Sequence, residues 1–344
     1  MERVRLGRTE LMVSRIALGG IPIMRLSLED AVAIVKAAIG WGINFIDTAN
    51  GYRDSELKIG TAIKGLPREE LVLASKSIAK DKQTFTQHLD LSLKQLGVDY
   101  LDIFHLHNVL PDKQEEIFGP GGAYEGLLEA IRAGKVRFPA FSSHSISFAL
   151  ELMRENRYDV VQLPFNYIDN MAAAEAIPLA RELDMGFISM KPLGGGMLDN
   201  AGLSFRFLQE YTGIVPDPGI ERLEELKEII DIVEAGETLT EDDRLEIARM
   251  QKELGDTWCH RCDYCQPCPQ KISISGVLSV ESAIKRMPYE RVLAIAEKNM
   301  ANVPGCTACR ACVARCPYDL DIPELIKEKL AVWEAYVAGQ TGIS

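Results

Sequence analysis

Asp47, Tyr52, Lys76 and His107 each stand at, or a few residues beyond, the end of a short apolar run. Their side chains suit one task together, the delivery of a proton to an oxygen. A tyrosine with a pKa of ~10 is a weak acid at neutral pH. A neighbouring ammonium favours its phenolate and lowers that value. An aspartate paired with the lysine keeps it charged and in place, and a histidine orients the oxygen that receives the proton. The set is suited to acid-assisted carbonyl reduction. Taken singly, each residue has a plainer explanation: a helix cap, a packing ring, a snorkelling lysine or a structural histidine. The chemistry depends on a fold that gathers all four.

A second group of reactive residues is crowded at the other end. All eight cysteines lie between Cys259 and Cys316, and none precedes them. They form two runs, CHRCDYCQPCP over residues 259–269 and CTACRACVARCP over residues 306–317. The second run has the bacterial spacing for a four-iron cluster, closed by its proline, and the first is one residue shorter before its last cysteine. In such pairs the three evenly spaced thiolates hold one cluster and the distant fourth serves the other. The expected sets are therefore Cys259, Cys262, Cys265 with Cys316, and Cys306, Cys309, Cys312 with Cys268. CxxC pairs also bind zinc, but three evenly spaced cysteines followed by Cys-Pro favour two [4Fe-4S] clusters. The helical pattern between the runs makes this segment resemble the helical ferredoxins.

The elements that must position the first group are legible upstream. After a hairpin about Gly7 and Arg8, β-branched runs over 15–18, 44–48, 71–76, 100–107, 137–142, 160–166, 186–191 and, weakly, 213–216 predict eight strands. Amphipathic patterns over 28–41, 56–64, 85–96, 124–133, 147–155, 172–183, 203–211 and 221–235 predict a helix after each. Ser27 with Asp30, and Thr84 with Gln87, read as capping boxes. Nearly continuous apolar strands are those buried on both faces. Eight such units over residues 1–238 predict an α/β fold, a (β/α)8 TIM barrel, followed by a helical cysteine-rich domain over residues 239–344. In such a barrel the ends of the strands face one mouth, which is where Asp47, Lys76 and His107 fall, with Tyr52 in the next loop.

Composition excludes several classes. The chain carries 38 basic and 50 acidic residues, a net charge of −12, with no basic run interleaved with aromatics, so neither nucleic acid nor an anionic membrane is an expected partner. The opening MERVRLGRTE has no apolar core of a signal peptide, and clustered cysteines suit a reducing compartment, so a cytoplasmic location is expected.

The segments GINFIDTANGYRDSE (42–56), ASKS (74–77), LDIFHLH (101–107) and GKVR (134–137) resemble, in order and spacing, the signatures of the aldo-keto reductases. With the cysteine-rich tail, the chain resembles the group of that family bearing a C-terminal iron–sulfur domain. The resemblance implies a nicotinamide cofactor, NAD(H) or NADP(H), and a small carbonyl substrate, with Tyr52 as general acid and Lys76, Asp47 and His107 as its partners. It further implies that Ser142, Ser143 and Gln162 meet the carboxamide, that Met190 packs on the nicotinamide where many members have an aromatic ring, and that Gly194 and Gly195 approach the pyrophosphate. Members preferring NADP hold the 2′-phosphate after the last strand. There the run VPDPGIER (215–222) offers Asp217, which would repel a phosphate, and Arg222, which would attract one, and the balance favours NAD.

Electron counting limits how the halves cooperate. A nicotinamide passes two electrons as hydride and a four-iron cluster passes one, so coupling them needs a carrier such as a flavin, for which the sequence carries no fingerprint. Three readings stay open: a carbonyl reductase whose clusters are structural or serve a ferredoxin or flavoprotein partner; an electron-transfer or redox-sensing subunit on a reductase scaffold; and a ferredoxin-linked reductase with an added flavin.

Overall fold

A computed structural model describes residues 1–255, 257–261, 264–316 and 318–341. The chain divides into two compact units, Met1–Thr240 and Glu241–Ser344.

The first unit opens with an antiparallel hairpin, β1 (Arg3–Arg5) and β2 (Met12–Ser14), joined through a 3-10 turn at Gly7–Thr9. Eight parallel strands follow: β3 (Leu18–Gly19), β4 (Phe45–Asp47), β5 (Val72–Ser77), β6 (Leu101–Leu106), β7 (Val136–Ser142), β8 (Val160–Pro164), β9 (Gly186–Met190) and β10 (Ile214–Asp217). Each pairs with its neighbour in sequence order. The ring closes where Ala17 N donates to Pro216 O (2.8 Å) and Gly19 N to Pro218 O (2.9 Å). The result is the eight-stranded barrel expected from the rhythm of the sequence. Its lower interior is filled by Phe45, Val72, Ala74, Ile103, Ala140, Val160, Ile188 and Val215, with Leu6, Leu11 and Val13 of the hairpin region packed against them. The interior is therefore a solid core, and the buried ionisable groups Asp47, Lys76 and Asp217 lie at the strands' C-terminal ends.

The helices between strands are α1 (Leu28–Gly40), α2 (Ser55–Ile63), α3 (Lys82–Leu96), α4 (Gln114–Phe118), α5 (Ala123–Arg132), α6 (Ile146–Arg154), α7 (Ala176–Glu182), α8 (Ala201–Gln209) and α9 (Leu223–Ala235). Ser27 caps α1, its Oγ accepting from Asp30 N at 3.0 Å. The cap of α3 is Asp81, whose Oδ1 accepts from Thr84 N at 2.8 Å, so that helix starts three residues before the expected one. Residues 108–122, between β6 and α5, contain the short helix α4. Helix α7 is shorter than its apolar pattern because Pro178 lacks an N–H and fits only the first turn.

The second unit comprises α10 (Glu241–Gly255), α11 (Ile274–Leu278), α12 (Val280–Arg286), α13 (Tyr289–Met300) and α14 (Ile322–Thr341). Its core is built from Ile272, Ile274, Val277, Val292, Met300, Leu320, Ile322, Leu325 and Trp333, against which Cys259, Cys265, Cys268, Cys306, Cys312 and Cys316 pack. Among the described residues no helix is long and apolar enough to cross a membrane.

Candidate active site and metal centres

Parallel register places the polar residues side by side. Asp47 is the last residue of β4 and pairs with Ala74 of β5, two residues before Lys76, which pairs in turn with His105 of β6. Lys76 Nζ donates to Asp47 Oδ2 and to Thr48 O, the latter at 2.9 Å. Both side chains are buried, with 2 % and 3 % of their surfaces exposed. Burial alone would push the Asp47 carboxyl up, but the charge and hydrogen bond of Lys76 outweigh it and hold the carboxyl below its ordinary value. Burial likewise works against the Lys76 ammonium, and the charge and hydrogen bond of Asp47 overcome it, raising its pKa above the usual lysine value. Buried opposite charges stabilise each other only as a pair; either alone would be costly.

Tyr52 follows β4 in a tight turn in which its N–H donates to Ala49 O at 2.9 Å. The turn brings its ring over Lys76, with Nζ 5.3 Å from the ring centroid. His107, the first residue after β6, presents its ring edge-on to Tyr52 at 5.9 Å between centroids and 81° between planes. Burial, reinforced by the nearby Lys76 charge, lowers the His107 pKa to about 3, so its imidazole is neutral at ordinary pH. The four residues singled out in the sequence thus meet at one mouth.

His105 was not anticipated. It is buried two residues before His107 and on the same face of the chain, with Nε2 4.0 Å from Asp47 Oδ1. Burial lowers its pKa to about 4. The two-residue alternation of a strand was the available signal: an inward Ile103 implies an inward His105. Glu56 was also passed over. It is a buried carboxyl at the start of α2 that accepts from Ser75 Oγ at 2.6 Å and is raised by burial.

The residues expected to meet a nicotinamide line the adjoining strand ends. Ser142 ends β7 and is in register with Gln162 of β8, while Met190 ends β9 in register with Asp217 of β10. Ser142 Oγ accepts from Asn108 N at 2.9 Å and so retains its own proton for donation. Ser143 Oγ donates to Val109 O at 2.7 Å, which commits its proton to the loop after β6. Beyond β9, Gly194, Gly195 and Gly196 all have left-handed backbones, with φ of 56°, 74° and 82°. Three such residues in a row turn the chain tightly and leave it without side chains, the surface a diphosphate approaches. This donor set, turn and half-buried Met190 fit a nicotinamide dinucleotide. Arg222 lies at the N-terminus of α9, 70 % exposed, and pairs with Glu225 at 2.7 Å.

Asp217 occupies a different place from the one its sequence context suggested. It is the last residue of β10, is buried, and accepts from Gln162 Nε2 at 3.0 Å. Its carboxyl faces the barrel interior, so repulsion at Asp217 does not decide between NAD and NADP.

In the second unit, Cys259, Cys265 and Cys316 line one cavity with Ile274, Leu278 and Leu320. Cys268 and Cys309 lie close enough to Cys312 for their charges to act on its thiol. Cys262 lies outside the described residues. Thiols grouped against apolar walls fit iron–sulfur clusters, which take thiolate ligands in surroundings of low polarity. Arg315 ties the two cysteine runs together: it donates to Cys265 O (2.7 Å), Pro267 O (2.9 Å) and Ala311 O (3.0 Å).

Comparison with known proteins bears on both units. Residues 15–210, more than half of the chain, match the model of the aldo/keto reductase family, and residues 258–321 match that of the 4Fe-4S dicluster domain. The chain is 28 % identical over 230 residues to the NADH-specific methylglyoxal reductase of Escherichia coli, covering 58 % of this chain and 69 % of that one. It is 28 % identical over 216 residues to L-galactose dehydrogenase of Arabidopsis thaliana, covering 57 % and 67 %. Among solved structures, the holo form of an aldo-keto reductase from Bacillus halodurans superposes with a TM-score of 0.62 at 21 % identity, covering 73 % of this chain and 96 % of that one. An aldo-keto reductase from Klebsiella pneumoniae in complex with NADPH gives 0.60 at 20 %, covering 73 % and 95 %. The chain belongs to the aldo/keto reductase family and carries a C-terminal 4Fe-4S dicluster domain.

Proposed function

We propose that the barrel reduces a small aldehyde or ketone to the alcohol, or runs the reverse reaction, with a nicotinamide dinucleotide held by Ser142, Gln162, Met190, Gly194 and Gly195. Ser143 and Arg222 complete the set, the first through its turn and the second as an exposed charge that a 2′-phosphate would share with Glu225. The observation that carries this reading is the buried Asp47–Lys76 pair with the Tyr52 ring laid against the ammonium.

When bound, the nicotinamide supplies or accepts the hydride. Tyr52 donates its hydroxyl proton to the substrate oxygen. The Lys76 ammonium stabilises the phenolate left behind, and Asp47 keeps that ammonium charged and in place. His107, neutral at working pH, orients the same oxygen by hydrogen bonding. The buried setting strengthens each of these interactions relative to water.

In the second unit, Cys259, Cys262, Cys265 and Cys316 hold one [4Fe-4S] cluster and Cys306, Cys309, Cys312 and Cys268 the other. Bound clusters supply single-electron chemistry, either for structure alone or for exchange with a ferredoxin or flavoprotein. The grouping of Cys316 with Cys259 and Cys265, and of Cys268 with Cys312, supports this assignment.

The test is an anaerobic assay of the full chain against small aldehydes, ketones and 2-oxoaldehydes, methylglyoxal among them, with NADH and NADPH in parallel. Turnover that disappears in Tyr52→Phe is expected. Turnover unchanged by that substitution, or its absence with every carbonyl, refutes the reading.

A further inference from the structure

The site contains a carboxyl group that the proposed chemistry does not use. Asp217 approaches the Asp47–Lys76 pair from β10, which the closure of the ring at β3 brings to within two strands of β4. A single donor bridges the two carboxyl groups: Gln162 Nε2 donates to Asp47 Oδ2 at 3.2 Å and to Asp217 Oδ2 at 3.0 Å. Sharing that donor, the two carboxyls are close enough for each to act on the other's ionisation. Their remaining oxygens, Asp47 Oδ1 and Asp217 Oδ1, are both buried with no donor. The chain has made room for this arrangement, because a Cβ on Gly19 would stand 2.9 Å from Asp217 Oδ1.

Charge counting decides what such a cluster holds. The groups facing Asp217 are Asp47 on β4, Lys76 on β5 and the neutral amide of Gln162 on β8, with His105 on β6 beside Asp47. Met190 on β9 and Gly19 on β3, its neighbours in the ring, bring no charge. One ammonium cannot balance two buried carboxylates that accept from the same donor, and like-charged carboxyls held close together share a proton. A proton on one of the orphaned oxygens would supply a donor where none stands.

We propose that Asp217 is a positioning residue that holds a proton against Asp47, so that Lys76 faces one negative charge instead of two and its ammonium stays available to Tyr52. Burial and the charge of Asp47 both favour the protonated form. Asp47 then works as the ionised partner and Asp217 as the neutral one, bridged by Gln162. Ionisation of Asp217 at alkaline pH adds a second anion beside Lys76, draws the ammonium from the phenol and slows proton delivery. The inference rests on the Tyr52–Lys76 reading above, but its first test does not need turnover.

Infrared spectra of the full chain at neutral pH should show a protonated-carboxyl C=O band that Asp217→Asn removes. Glu56→Gln is the control that removes any band from Glu56, a second buried carboxyl raised by burial. An unchanged band in Asp217→Asn, or no such band in the wild type, overturns the proposal. Should Asp217→Asn not fold, Gln162→Leu reads the same point: loss of the shared amide donor should shift the band, and a band left in place overturns the proposal. In turnover, the alkaline fall of kcat should move upward by one pH unit or more in Asp217→Asn, and superimposable limbs overturn the link to Lys76. A chain inactive with every carbonyl refutes the reductase reading instead, leaving the infrared result to judge Asp217.

Discussion

Lys76 Nζ lies 5.3 Å from the centre of the Tyr52 ring while its proton donors are directed to Asp47 and to Thr48 O. The lysine is thus fixed by one neighbour and presented to another. That division of labour means that the fold and the chemistry make separable demands on the same ammonium.

Tyr52→Phe removes the hydroxyl and leaves the packing. General acid catalysis contributes about 10²–10⁴ in rate. The expected result is a fall in kcat of that order with little change in KM, measured as nicotinamide oxidation under anaerobic conditions. A fall in kcat below about tenfold would assign the proton to another group.

Lys76→Met should cost stability as well as rate. It leaves Asp47 as a buried carboxylate without its ammonium, and breaking a buried pair costs about 3–5 kcal/mol. Adding Asp47→Asn should recover much of that stability and none of the activity. Denaturant midpoints and kcat on the single and double variants separate the two effects. Equal stability of the two would mean that Asp47 takes up a proton at no cost.

The barrel was legible because its strands are buried on both faces and so appear as unbroken apolar runs between amphipathic ones. The mouth residues followed from where those runs stop. What stayed hidden depended on side-chain direction across the interior. His105 and His107 are two apart in one segment, yet only the second follows the strand end, where barrel sites gather. Asp217 stands after Pro216 in the weakest strand pattern, and nothing local distinguishes a strand terminus from a loop there. Only closure of the ring, through Ala17 and Gly19, brings it towards Asp47. Likewise Thr84 reads as a cap until Asp81, three residues earlier, is found bonded to its N–H.

Both histidines make stability dependent on acid. Their folded pKa values, about 4 for His105 and about 3 for His107, lie below the ordinary 6.5. Between those values the unfolded chain binds protons that the folded chain does not, so stability rises with pH. It should be fully present above about pH 6.5 and fall as pH drops towards 4, by about 1.4 kcal/mol per unit for each histidine. His105→Gln should reduce that slope by one proton in denaturant titrations of the barrel. An unchanged slope would show that His105 is protonated in the folded protein.

Arg315 should matter to cluster retention more than to the helices around it. Its guanidinium reaches Cys265 O and Pro267 O in the first cysteine run and Ala311 O in the second, fixing the loops that carry opposite cluster ligands. Two [4Fe-4S] clusters give about eight iron atoms per chain. Arg315→Gln should start near that content after anaerobic reconstitution and lose iron several times faster on dilution or brief exposure to air, followed by the decay of visible absorbance. Lysine at this position keeps the charge but cannot reach three carbonyls in one plane, so Arg315→Lys should restore little of the lost retention. Cys316→Ser and Cys259→Ser should instead remove the same half of the iron from the outset, with the other half left by both. Arginine and lysine variants that hold their clusters as long as the wild type would reduce Arg315 to a surface contact.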